Sequence, residues 1–115
     1  MKKFDIGFSL SDSEYMTALR LAVGAVCAAA DVDIDGAEDM KVCVTESCLL
    51  LKDCGFESVN ISLSTDGGVC ATVQGIGGKA VAGDNDFSLA LISALVSKCD
   101  IEKVNGTVAK ITLKL

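Results

Sequence analysis

The stretch GAEDMKVCVTESCLLLKDCG, residues 36–55, constrains this chain most. Its spacing predicts one long helix from about Gly36 to Cys54, closed by Gly55 as a C-terminal cap. Met40, Val44, Ser47, Cys48 and Leu51 share one face, because positions three, four or seven apart project alike. Asp39, Glu46, Leu50 and Asp53 share another. The helix is apolar around most of its girth and yet carries a single acid, Glu46, in its middle. Such a helix needs other elements to cover it.

The flanking patterns supply that cover. Phe4, Ile6, Phe8 and Leu10 alternate with Asp5, Gly7 and Ser9, as in a half-buried strand. Residues 11–14, SDSE, offer N-cap side chains. From Tyr15, the spacing of Met16, Leu19, Ala22, Val23, Val26 and Cys27 predicts a first helix to about Ala30. Asp31, Asp33 and Asp35 suit the N-terminus of the second helix and only faintly resemble a calcium loop, whose later Gly and Glu are missing. Val59, Ile61 and Leu63 then alternate with polar residues up to a hairpin turn at Asp66-Gly67-Gly68, and residues 69–74 return. Residues 79–86 read as a loop and Phe87–Lys98 as a third helix, with Lys98 suited to its C-terminal end. Residues 99–104 and 107–115 flank Asn105-Gly106, the strongest hairpin signal in the chain. The order β-α-α-β-β-α-β-β predicts one α+β domain over residues 1–115, a two-layer sandwich with three helices on one face of a mostly antiparallel sheet.

Composition narrows the function. A net charge of −6 repels a phosphate backbone and an anionic membrane surface alike, so neither nucleic acid nor membrane is expected as a partner. Residues 1–5 lack the apolar run of a signal peptide, and the expected location is cytoplasmic. The six cysteines, Cys27, Cys43, Cys48, Cys54, Cys70 and Cys99, have no Cys-x-x-Cys spacing and read as reduced, small apolar residues. Without a single His the chain has no Ser-His or Cys-His catalytic pair. No metal site is expected.

The order of elements resembles that of the Bergerat-fold, histidine kinase-like ATPases. Within that superfamily the chain is most similar to the bacterial anti-sigma factor serine/threonine kinases. Residues 15–26 (YMTALRLAVGAV), 37–48 (AEDMKVCVTESC) and 106–113 (GTVAKITL) carry the resemblance. The resemblance implies that Glu46 stands where the family's general base stands, and Leu50 where an Asn holds the magnesium of bound ATP. Leucine offers no hard oxygen to Mg²⁺. Gly75 stands where an Asp accepts from adenine, and Gly77 and Gly78 keep part of the glycine motif. The family's phosphate-cradling turn corresponds to Asn85-Asp86-Phe87, where an acid and a bulky ring oppose phosphate. The segment between the two glycine sites is too short for the family's lid loop. Residues 77–80, GGKA, also look like a phosphate loop, but lack its first Gly, its Ser or Thr and a following helix.

The resemblance therefore implies a dimeric bacterial transcription regulator of the anti-sigma-factor type: a protein-binding module whose ATP binding is lost and which needs no cofactor. Its expected partner is a sigma factor or anti-anti-sigma factor, or a second copy meeting it through residues 4–30, with Leu19 or Val23 exposed there. One alternative is an Mg-ATP-dependent serine/threonine protein kinase using Glu46 as base. Another is a small-ligand binder using a vacated pocket lined by Leu49, Leu50, Ile76 and Phe87.

Overall fold

The computed structural model describes residues 3–79, 81 and 85–115. In chain order the elements are β1 (Lys3–Ser9), α1 (Glu14–Ala29), α2 (Ile34–Asp53), β2 (Ser58–Ser64), β3 (Cys70–Ile76), α3 (Asp86–Leu95), β4 (Lys98–Val104) and β5 (Thr107–Lys114). This is the predicted order. The strands form one five-stranded sheet in the order β1-β2-β3-β5-β4, and every neighbouring pair is antiparallel. β1 and β4 are its edges. No helix among the described residues is long and apolar enough to cross a membrane.

The period-2 patterns of the sequence become the two faces of the sheet. Val59, Ile61, Leu63, Ala71, Val73, Ile111 and Leu113 are almost fully buried against the helices. Their neighbours Asn60, Ser62, Thr72 and Gln74 lie on the opposite face. α2 touches α1, α3, β2, β3 and β5, which makes it the centre of the helical layer. Its stripe Met40, Val44, Ser47, Cys48 and Leu51 is buried throughout, as its spacing predicts. Four cysteines are buried, Cys70 and Cys99 are half-buried, and all six are free thiols.

Both expected hairpins form. Asn105 and Gly106 have φ of 52° and 78°, the left-handed pair that a two-residue turn between twisted strands requires. Gly67 and Gly68 likewise have positive φ in the β2–β3 turn.

Four expectations need correction. The third helix ends at Leu95, because Val96 is extended (φ −117°, ψ 156°) and the Ser97 N–H donates to the Lys114 carbonyl at 2.9 Å. Lys98 therefore opens β4 and pairs with Asp100 at 3.7 Å instead of closing a helix. The second helix begins at Ile34, since Asp33 is its N-cap and its Oδ1 accepts from the Gly36 N–H at 2.7 Å. Ser13 is the N-cap of α1 but makes no side-chain capping bond. Finally, Leu19 and Val23 are 1% and 0% exposed, because they lie on the α1 stripe that enters the core; Leu21, at 72%, is exposed on that helix instead. The expected loop at 79–86 lies partly outside the described residues, at 80 and 82–84, as do Met1 and Lys2.

Candidate functional site

Glu46 lies half-buried on α2, at the rim of a groove of about 370 Å³ lined also by Arg20, Glu38, Lys41, Val42, Thr45 and Leu49. The groove has internal order. Arg20 Nε donates to Thr45 Oγ1 at 3.4 Å, and Lys41 Nζ pairs with Glu38 Oε1 at 2.9 Å. The Glu46 carboxylate takes part in no hydrogen bond or ion pair among the described residues. It is a free acceptor beside two cations, able to take a hydrogen bond or a proton from an incoming group. Its field reaches Cys43 one turn earlier. Burial above all, then Asp39, Cys99 and Glu46, push the Cys43 thiol up to about 11. That thiol is held neutral, and its Sγ donates to the Ile92 carbonyl at 3.8 Å, tying α2 to α3.

Leu50 is one turn beyond Glu46 and points elsewhere. It is 2% exposed, part of the hydrophobic core. Asp39 and Asp53 each stand seven residues from Glu46, roughly 10 Å along the axis at 1.5 Å per residue. The face predicted to hold Asp39, Glu46, Leu50 and Asp53 together thus divides, with Leu50 inside and the acids toward solvent. Leu49, Ile76 and Phe87 are 42%, 49% and 80% exposed, unlike the buried Leu50. Asp86 and Phe87 open α3, behind the N-cap Asn85, which donates through Nδ2 to Cys54 Sγ at 3.6 Å.

Gly75 continues the buried face of β3 beyond Ala71 and Val73, and pairs with Val59. The aromatic ring of Phe56 covers it. A Cβ at position 75 would meet Cγ, Cδ2 and Cδ1 of that ring at 2.5, 2.6 and 2.7 Å. Glycine is required here by space. Gly77 and Gly78 follow with φ of 72° and 70°, and Gly78 abuts the Gly55 carbonyl. The Val81 N–H donates to the Cys54 carbonyl at 2.7 Å, so the chain after β3 is fastened to the end of α2.

Phe56 was not legible as part of this site from spacing alone, although its position has a local cause. α2 ends with the Gly55 N–H on the Lys52 carbonyl (3.0 Å) and the Phe56 N–H on the Leu51 carbonyl (3.2 Å), with Gly55 at φ 94°. This is the Schellman arrangement, in which the residue after the glycine commonly makes an apolar contact. The glycine that stops α2 thereby sends Phe56 over Gly75.

A second feature lies along the edge strand. Phe4, Ile6, Gly7, Phe8, Ser9, Asp12, Tyr15, Ala18, Leu19 and Ala22 line a mainly apolar groove of about 590 Å³ between β1 and α1. The Phe8 and Tyr15 rings stand 6.0 Å apart at its end. β1 is an edge strand, so this groove adjoins unpaired backbone.

With α+β layers, three helices on one face and this strand order, the chain has a histidine kinase-like ATPase fold of the RsbW type. No protein-family model matches the sequence, and no curated protein sequence matches it. Among solved structures, it is similar to "the RsbU and RsbW domains of Rv1364c from Mycobacterium tuberculosis", at a TM-score of 0.72 and 20% identity. The match covers 98% of this chain and 32% of that one, so the chain spans about a third of the length of that relative. At such identity the likeness shows the fold alone.

Proposed function

We propose that this chain is an anti-sigma-factor-like regulatory module that binds a protein partner and has lost ATP binding. The observation that carries this reading is Leu50. Phosphoryl transfer on this fold depends on a metal held by the protein, and a core leucine gives it no ligand. Gly75 under the Phe56 ring supports the same reading, because the place of an adenine acceptor holds no polar side chain. The sequence resemblance to the anti-sigma factor kinases and the likeness to a structure containing an RsbW domain support the regulatory role.

A sigma factor or anti-anti-sigma factor is the proposed partner, with a second copy of the chain as a further one. The proposed contact surface is residues 4–30, where the β1–α1 groove exposes Phe4 and Tyr15 by 50% and 44%. Exposed aromatic anchors beside an apolar groove are the usual centre of a protein interface. Isothermal titration with Mg-ATP and Mg-ADP tests the reading. No saturable binding is expected; micromolar binding of either would overturn it and favour the kinase with Glu46 as base.

A further inference from the structure

We propose that the uncovered face of the sheet is a docking site for an acidic, extended peptide segment of a partner protein. This face lies on the side of the sheet away from Glu46 and the helices, so the site stands whether or not nucleotide binding is lost.

Strand alternation builds it. Asn60, Ser62 and Ser64 on β2 stand opposite Gln74, Thr72 and Cys70 on β3, pair by pair. These uncharged side chains make a floor two strands wide. Lys3, the partner of Ser64, stands on β1 at one side, and Lys110 and Lys114, the partners of Gln74 and Cys70, stand on β5 at the other. Long side chains outside and mostly short ones between them leave a hollow of about 600 Å³, closed at the turn by Asp66 and Gly68.

Charge, spacing and floor chemistry say what fits. The side chains of Lys3, Lys110 and Lys114 take part in no hydrogen bond or ion pair among the described residues. Two acids of the same face are engaged, Asp5 by Ser62 Oγ at 2.5 Å and Asp100 by Lys98 Nζ at 3.7 Å. Lys114 also stands directly across from Lys98 on β4, and like charges so placed repel until an anion joins them. Lys110 and Lys114 are four residues apart on one strand, about 13 Å at 3.3 Å per residue. Carboxylates at positions i and i+4 of an extended peptide have the same separation and share a face. Lys3 is three strands away, about 14 Å at 4.8 Å per strand, so a peptide running along the strands lies between the two walls. Below it, hydroxyls and the Asn60 and Gln74 amides both donate and accept, as a peptide backbone requires.

The net charge of −6 does not forbid this contact, because salt largely screens exposed charges beyond about 8 Å. It does disfavour nucleic acid. A short peptide sets its few carboxylates on the lysines and ends, whereas a nucleic-acid strand carries charge past the hollow at every nucleotide. Asp31, Asp33, Asp35, Glu38 and Asp39 crowd the start of α2, so an acidic chain is turned away from the helical side.

The test is fluorescence anisotropy with a labelled eight-residue Glu-Thr repeat, against a Gln-Thr repeat of equal length. The acidic peptide is expected to bind saturably, at least about tenfold more tightly than the neutral one, and to weaken as salt rises. Lys110→Gln combined with Lys114→Gln should weaken it by about tenfold, and Lys52→Gln on α2 by less than about twofold. Amide shifts of the wild type should move at Ser62, Ser64 and Thr72, and these decide the matter should the double variant not fold. No saturable binding, equal binding of the two peptides, equal losses in the two variants, or shifts confined to the Arg20–Lys41 groove each overturn the proposal. A thymidine octanucleotide that binds as tightly as the acidic peptide overturns it in favour of nucleic acid. Self-association that the double variant abolishes gives the face to a second copy and overturns it too.

Discussion

An asparagine at position 50 would bring an amide with two donors and a carbonyl into a place that is 2% exposed and apolar. It would lose the burial of a leucine and leave polar atoms in the core. Both costs act together, so Leu50→Asn should destabilise the fold by about 3–5 kcal/mol in urea unfolding. Glu46→Gln is the control one turn away. Its carboxylate is half-exposed and unbonded, and the change should stay within about 0.5 kcal/mol. If Leu50→Asn proves as mild as Glu46→Gln, the side chain at 50 can turn out of the core and the argument from Leu50 falls. Position 46 carries a half-exposed carboxylate, whereas position 50 is part of the core packing. An amide at position 50 would have to leave the core before it could meet any ligand.

At the scale of elements, the second helix was legible because its determinants are local. The apolar stripe from Met40 to Leu51 placed its buried face, and Gly55 placed its end. Asn105-Gly106 announced its hairpin for the same reason. Misreadings came where distant residues decide. The third helix stops at Leu95 because residue 97 finds its partner on β5. Phe56 belongs to the site because β3 offers it a glycine nineteen positions on, at Gly75. Two glycines with positive φ separate local from tertiary demands. Gly67 has φ 75° in a turn with nothing near a would-be Cβ, whereas one at Gly55 (φ 94°) would strike the Lys79 carbonyl. Gly67→Ala should cost about 1 kcal/mol, the strain of the left-handed region. Gly55→Ala should cost about 3 kcal/mol, since a backbone segment must also move. Equal losses in denaturant unfolding would show that the segment after β3 does not rest on the end of α2.

The molecule as a whole presents two unlike surfaces. At one, the end of α2, Phe56 and the glycines after β3 close on one another. At the other, β1 is an unprotected edge strand and the groove beside it holds Phe4, Phe8 and Tyr15. An edge of that kind invites a further strand or an apolar partner unless something blunts it. Of the charged residues on β1, Lys3 and Asp5 stand two apart. An antiparallel pairing of two copies centred on Phe4 would set each Lys3 opposite the other copy's Asp5, giving two favourable cross-strand pairs. Such a contact is its own mirror under a twofold axis, as a symmetric dimer requires. Sedimentation of the wild type should therefore depend on concentration. Phe4→Glu should return a monomer without changing the melting temperature, because Phe4 is 50% exposed and contributes little to the core. Lys3→Asp should weaken pairing and Lys3→Asp with Asp5→Lys should restore it, since the exchange reverses both charges while keeping their complementarity. A wild type that stays monomeric at high concentration leaves this surface to a different protein. In that event Phe4→Glu should abolish binding to that partner while the fold stays intact.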